Sequence, residues 1–508
     1  MTSMDVRLPD RQQGAGPREW LALAVIVMPV LLISIDNTVL TFALPQVSVA
    51  LRPSGEQLMW LVDIYPMMLA GLLIAAGNLG DRVGRRRMLL IGAVGFGVAS
   101  VGAAFSPTAE ALIAWRVLLG VFGATLMPST LSLIRTVFVR RDDRRVAIAV
   151  WASTFAGGAA LGPVVGGYLL EHLWWGSVFL VNVPIIVVLL VSAPFLVPES
   201  RDPRPGRIDV TGIVWSMTAM LPFVYGIKQL AEHGLSAVPL GAMALGVAGA
   251  AMFVRRQATA THPLIDVGLF SDRVFSGAIG ANLLSMVGYA GFLFFAAQFL
   301  QLVVGLSPMA AATVLIPGLV VTIGAGFMAV RFARRMSVAL LVSLSFALSA
   351  AGYAIAAFAG TPTTWSIMIA FAVLGLGIGF AETLTNDVML SRVPAHQTGA
   401  ASAASETAYE IGAVLGTAVL GSVLTASYRA NLTVPAVARF GEQDSAFETL
   451  GGTLEQARFF PNVVGEELML SAHAAFENAV QLTSAVAIVV ALGAAWVSWR
   501  TLRGASLD

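Results

Sequence analysis

Residues 77–87 read GNLGDRVGRRR. An apolar run over 58–80 leads into them and another, 88–105, follows, so the stretch is a short charged turn between two segments that avoid water. Gly77, Gly80 and Gly84 allow tight helix approach and a sharp turn. Asp81, Arg82 and the arginines after Gly84 offer charge that can lock to neighbouring helix ends. Arginines alone at such a place would also serve as a positive-inside anchor.

The rest of the chain repeats this pattern. Of 508 residues, 57% are hydrophobic and only 12% charged, against roughly 25% charged in soluble domains. A helix needs about 20 apolar residues to cross the hydrocarbon core, and such segments recur at 20–42, 58–80, 88–105, 111–134, 147–170, 179–197, 210–227, 239–254, 275–298, 308–330, 338–358, 365–387, 400–424 and 479–499. The expected fold class is therefore an all-α membrane protein with 14 transmembrane helices. The runs are continuous and rich in Gly and Ala, which excludes the alternating strands of a membrane β-barrel. The polar tail 1–19 lacks a cleavage site after a short apolar core, so no removable signal is expected.

Placing the N-terminus in the cytoplasm puts 24 of the 30 basic residues on the inner side, as the positive-inside rule requires. Arg52, Lys228, Arg429, Arg439 and Arg458 are then expected outside and Arg116 within the membrane. Both termini are expected to be cytoplasmic, in the plasma membrane of a bacterium. The net charge of +1 carries little information. With no Cys and five scattered His (172, 233, 262, 396 and 473), neither a metal site nor a cofactor is expected, and no nucleophile, base and metal constellation suggests an enzyme.

The expected organisation is a cytoplasmic tail 1–19, a six-helix bundle 20–197, a charged linker 198–209, two inserted helices 210–254, a second six-helix bundle 275–499 and a tail 500–508. An acidic outer loop, 427–478, falls inside the second bundle and is expected to be a disordered flap or a short amphipathic hairpin. An internal repeat supports this division. A shift of 254 residues lays Ala147, Gly158, Gly162, Val165 and Gly167 on Ala401, Gly412, Gly416, Val419 and Gly421; a shift of 248 lays Arg86 and Arg87 on Arg334 and Arg335. Parallel six-helix repeats with a site at their interface are a secondary-transporter architecture. Gly and Ala at helical spacing also suit close packing alone.

The 77–87 string resembles the signature loop of the major facilitator superfamily. Residues 35–45 (IDNTVLTFALP) resemble the first-helix motif of its fourteen-helix drug:proton antiporters, with Asp36 on the acidic position. WLVDIY places Trp60, Asp63 and Tyr65 as in the quaternary-ammonium exporters of that group. Arg116 and Gly120 resemble the superfamily's membrane-buried arginine motif, and Gly162, Pro163, Gly166 and Gly167 in GPVVGG the motif associated with antiporters. The resemblance runs from about Trp20 to Arg500. It implies a major facilitator fold, with Asp36, Asp63 and Arg116 in proton coupling and the two glycine motifs in conformational gating.

A physical argument stands beside the resemblance. An ionisable group at a helix centre costs at least about 2.5–3.5 kcal/mol, so it faces a cavity and serves function. Asp36, Asp63, Glu382, Glu406 and Glu410 qualify. Asp36, Asp63 and Arg116 lie at similar depth and form one charged layer, or a buried ion pair that holds the first bundle together. Glu406 and Glu410, four apart, project from one helix face; two carboxylates so close resist simultaneous ionisation and are expected to exchange a proton for a cationic substrate. Glu382 is expected near the inner end of its helix. Tyr409, Trp60 and Tyr65 offer ring faces to a planar cation. GLGIG, 375–379, has no following Lys and lies within a span, so it is no phosphate loop.

Together these readings imply a proton-coupled exporter of lipophilic cations, such as quaternary ammonium compounds, ethidium-like intercalators and, by resemblance, fluoroquinolones. The expected partners are protons, small lipophilic cationic substrates and membrane lipids, with no nucleic acid, for a monomeric chain. A dedicated exporter of one endogenous metabolite would carry the same coupling motifs. A channel or transport-derived sensor differs in predicting no uphill movement.

Overall fold

A computed structural model describes residues 15–201, 209–260, 267–333, 335–358, 363–393, 398–435 and 447–505. The N-terminal tail to residue 14, linker residues 202–208, His262, Arg334, His396 and loop residues 436–446 lie outside the described residues.

The first block holds α1 (Pro17–Leu51), α2 (Gly55–Val83), α3 (Arg85–Ala104), α4 (Ala109–Val137), α5 (Arg141–His172) and α6 (Asn182–Leu196), the last preceded by one turn, Ser177–Leu180. The inserted helices are α7 (Val210–His233) and α8 (Ala237–Thr259). The second block holds α9 (Arg273–Gln298, continued by a π turn, Phe299–Val303), α10 (Pro308–Ala333), α11 (Val338–Phe358), α12 (Thr364–Ser391), α13 (Thr398–Gly416) and α14 (Asn462–Thr501). Among the described residues, twelve helices are long and apolar enough to cross a membrane. With α2 and α5, 29 and 32 residues long at two further expected spans, the pattern agrees with fourteen crossings.

Local sequence explains several helix starts. The Ser54 hydroxyl accepts from the Gln57 N–H while the Gln57 side chain accepts from the Ser54 N–H, a reciprocal cap on α2. The Thr108 and Asp209 side chains cap α4 and α7 by accepting from the N–H groups of Ala111 and Gly212. Prolines within α1, α2, α4 and α5 are tolerated because neighbouring helices can satisfy the backbone groups they free.

The repeat is visible in the packing. α5 lies on α1 through Gly158, Gly162 and Gly166, and α13 lies on α9 through Gly412 and Gly416. A Cβ on Gly162 would sit 1.9 Å from Thr38 Oγ1; one on Gly416 would sit 2.5 Å from the Val287 carbonyl oxygen. Both helix pairs approach at a distance only glycine permits. The pairs α2–α4, α3–α4 and α3–α6 recur as α10–α12, α11–α12 and α11–α14. α7 and α8 form a hairpin that leans on α2 through α7, where Met217 fills the space beside Gly71.

The late loop carries helix among its described residues. α13 continues through a π turn, Thr417–Gly421, into Ser422–Asn431, and α14 begins at Asn462 and runs 40 residues. Between them the short helix Leu450–Ala457 is mostly buried, its Thr453 accepting a hydrogen bond from the Tyr428 hydroxyl at 2.7 Å. Of the two alternatives expected for 427–478, a disordered flap or a short amphipathic hairpin, the described residues do not show the flap: they are largely helical. Hydropathy marks only the lipid-crossing part of a helix, and Glu466, Glu467 and Glu477 hide its extension.

The two bundles meet at the ends where α1 finishes. There Gly167 packs on Met309, Gln301 donates to the Phe42 carbonyl at 3.2 Å, and the Gly55 N–H donates to Glu448 at 3.0 Å.

Candidate functional site

Between the bundles lies a cavity of about 80 Å³. α1 lines it with Ser34, Asn37, Thr38 and Thr41, α2 with Asp63 and Pro66, and α4 with Arg116. The second bundle contributes Met286, Tyr289 and Phe294 from α9, and Tyr409, Glu410 and Ala413 from α13. The wall is thus apolar and aromatic with a few charged groups, the composition of a small-molecule site. Phe155 and Tyr409 meet edge-on across the bundle boundary, their centroids 5.6 Å apart.

Asp36 and Arg116 are brought together as a closed ion pair. Arg116 Nη1 donates to Asp36 Oδ2 at 2.9 Å, with both side chains buried. The other guanidinium nitrogens donate to the carbonyls of Leu61 at 3.1 Å and Val62 at 3.4 Å, which fastens α4 to α2. Asn182 of α6 donates to Asp36 Oδ1 at 3.1 Å and to the Ser100 hydroxyl at 3.2 Å. Sequence reasoning missed Asn182, a polar residue inside an otherwise apolar run. Arg116 reaches the cavity wall and Asp36 stands behind it.

Asp63 finds a different base. Its Oδ2 is 3.1 Å from Lys228 Nζ, both side chains fully buried, at angles outside hydrogen-bond geometry. Lys228 was expected in an outer loop; it lies instead within α7, because that helix runs to His233 rather than stopping at 227. Its ammonium sits 4.0 Å from the centroid of Trp60, whose Nε1 donates to Glu56 at 3.1 Å.

The two aromatics of α2 do not line the cavity. Trp60 covers Lys228, and Tyr65 is buried with Arg116 over its ring at 4.6 Å. On α13, Glu410 and Tyr409 reach the cavity while Glu406, one turn away, is partly buried outside its lining. Asn37 faces the Glu410 carboxyl, and Glu406 acts on it electrostatically. Among the described residues, no basic side chain pairs with Glu406 or Glu410. Glu382 also stands outside the lining, near Tyr289 and Tyr409.

The stretch 77–87, expected as a short charged turn, is almost wholly helical: α2 runs to Val83, α3 starts at Arg85, and Gly84 alone joins them. Gly77 packs on Pro128 and Gly80 near Ser129, both of α4. Gly84 has φ +113°, a conformation that favours glycine. Glu199, beyond α6, accepts the N–H groups of Arg86 at 3.0 Å and Arg87 at 3.3 Å, a carboxylate at the positive end of α3. Arg85 N–H donates to the Ser200 carbonyl at 2.9 Å, while Arg82 is exposed. In the antiporter-like motif, Gly162, Pro163, Gly166 and Gly167 are all buried in α5; Gly162 and Gly166 face α1 and Gly167 faces Met309 of α10.

Comparison with known proteins agrees with this architecture. The chain is 51% identical over 481 residues to the multidrug efflux pump LfrA of Mycolicibacterium smegmatis, covering 94% of this chain and 95% of that protein. It is 36% identical over 484 residues to the methyl viologen resistance protein SmvA of Salmonella typhimurium, covering 94% and 97%. A bacterial homologue of the human lysosomal transporter Spinster, solved in an inward-facing and occupied conformation, shares the fold with a TM-score of 0.66 at 18% identity, covering 96% of this chain and 98% of that one. The profile of the Major Facilitator Superfamily matches residues 28–417, and with the two six-helix bundles around a shared cavity this chain belongs to that superfamily.

Proposed function

We propose that this chain is a proton-driven exporter of lipophilic cationic drugs and dyes, working by alternating access in a bacterial plasma membrane. The observation that carries the reading is the distribution of charge around the cavity. Asp36 is neutralised by Arg116 and Asp63 by Lys228, which leaves Glu410 as the cavity-lining carboxylate without a basic partner among the described residues. A cation entering the cavity meets an acid; a neutral molecule gains nothing from it. Protonation of Glu410 would cancel the attraction, so proton and drug compete for one site and cross in opposite directions. Tyr289, Phe294 and Tyr409 supply ring faces for a flat cation.

The relatives support the same substrate class: one is named for multidrug efflux and another for resistance to methyl viologen, itself a flat organic dication. Basic residues concentrated on one side support cytoplasmic termini. In this reading the chain acts as a monomer and as a carrier, with no chemical transformation of its cargo. Asp36, Asp63 and Arg116 couple protons to movement, and the glycine motifs at 77–84 and 162–167 let the bundles rock.

The test is reconstitution into vesicles with an imposed pH gradient and a fluorescent lipophilic cation. Dye should accumulate against its gradient while the proton gradient lasts, and stop when an ionophore dissipates it. Movement only down the dye gradient would return the protein to the channel reading.

A further inference from the structure

Of the 30 basic residues in the chain, one alone is lysine, and it is Lys228 of the inserted helix α7. Its side chain is fully buried, with Nζ 3.1 Å from Asp63 and 4.0 Å from the centre of the Trp60 ring. An alkylammonium on an indole face beside a carboxylate is the arrangement that recognises an organic cation. Here the cation belongs to the protein. Asp63 stands between the two spaces, lining the drug cavity on one side and meeting Lys228 on the other as an ion pair, with neither carboxylate oxygen in a hydrogen bond.

We propose that Lys228 is a tethered surrogate cation: it holds Asp63 and Trp60 while the cavity is empty, and an incoming drug cation displaces it. The inference rests on the reading of the substrate as a lipophilic cation. Without an occupant, Asp63 would be a buried unpaired carboxylate, which is costly; Lys228 removes that cost between transport events. When the drug supplies the positive charge, Lys228 needs another acceptor. Glu56 provides it, seven residues before Asp63 on the same face of α2 and already within electrostatic reach of Lys228. Glu56 also accepts from Trp60 at 3.1 Å and from Gln229, the residue after Lys228, at 3.0 Å.

The residue type fits this shuttling. Lysine is a compact charge on a flexible stem, whereas arginine's planar fork fixes a carboxylate at two points. A chain that otherwise uses arginine throughout carries its one lysine where a charge has to let go. The inserted hairpin thereby becomes part of substrate binding rather than a spacer between bundles.

Tetraphenylphosphonium binding to the purified full chain at pH 8 tests the proposal. An internal occupant present about nine-tenths of the time weakens apparent affinity about tenfold, so Lys228→Met should bind about tenfold tighter than the parent. Lys228→Arg should bind no tighter than the parent, and Asp63→Asn added to Lys228→Met should remove the gain. Unchanged or weaker binding by Lys228→Met overturns the proposal. If that variant does not fold, the parent decides: an amine-reactive label, read by mass spectrometry with the N-terminal amine as reference, should modify Lys228 faster when the phosphonium is bound. Equal or slower labelling overturns it as well. A parent that binds no phosphonium at all refutes the cationic-substrate reading, and this inference with it.

Discussion

Asn182 and Arg116 hold opposite oxygens of Asp36, at 3.1 Å and 2.9 Å, so α4 and α6 converge on one carboxylate of α1. Breaking a buried pair by removing one partner typically costs about 3–5 kcal/mol because the other charge is stranded. Asp36→Asn and Arg116→Ala should each lower the thermal unfolding temperature and abolish uphill dye transport. Neutralising both, as Asp36→Asn with Arg116→Gln, should recover most of the stability and none of the transport. Parental pumping by Asp36→Asn in vesicles would remove this pair from proton coupling.

Glu199 joins the end of α6 to the start of α3 through the N–H groups of Arg86 and Arg87. Loss of a side-chain acceptor at a helix N-terminus costs about 0.5–2 kcal/mol. Glu199→Ala is expected to reduce stability by about that amount and to slow transport, whereas Glu199→Gln keeps an acceptor oxygen and should lie between. Unfolding midpoints of the two variants measure the difference, and identical midpoints for both and the parent would make the contact energetically idle.

Close approach of α5 to α1 leaves no room at Gly162. A methyl group there would overlap Thr38 Oγ1 at 1.9 Å and press on the Ile35 carbonyl at 3.2 Å. Gly162→Ala should therefore cut transport strongly, since side-chain clashes in a packed interface cost about 1–3 kcal/mol. Thr38→Ala removes the hydroxyl and should restore part of the lost rate in the double variant. No recovery would locate the defect elsewhere than in this contact.

Much of the site was legible because charge is expensive in lipid. Asp36, Arg116 and Glu410 stood out from their apolar surroundings, and the glycines of α5 and α13 announced the repeat, though not which helices they pack against. What was hidden shares a physical cause: hydropathy reports exposure to lipid, not where a helix ends. Lys228 falls one residue past the apolar run of span 7, so it read as a loop charge, although its being the one lysine was a signal in plain view. The first turns of α14 read as loop because Glu466, Glu467 and Glu477 lower the hydropathy there. Asn182 and Glu199 escaped because their importance lies in partners distant along the chain, Asp36 and the N-terminus of α3. Trp60 and Tyr65 carried a family pattern, but no spacing rule tells which ring lines a cavity and which covers a buried cation.

The two acids of α13 are one turn apart, yet only Glu410 lines the cavity, facing Asn37. A carboxylate about 4 Å from a monocation gains roughly 4 kcal/mol at an effective dielectric of 20, before desolvation is subtracted. A neutral drug gains no such term. Glu410→Gln is therefore expected to weaken a cationic dye by at least about tenfold while changing a neutral drug little. Glu406→Gln should have a smaller effect of the same sign, because Glu406 acts through its neighbour rather than on the ligand. Since the two acids lie one turn apart on one helix, the double variant should not equal the sum of the singles. Binding of both ligand types to each purified variant, across pH, provides the measurement. Equal losses for cationic and neutral ligands, or strict additivity of the two substitutions, would leave Glu410 and Glu406 as structural groups and move cation selection elsewhere in the cavity.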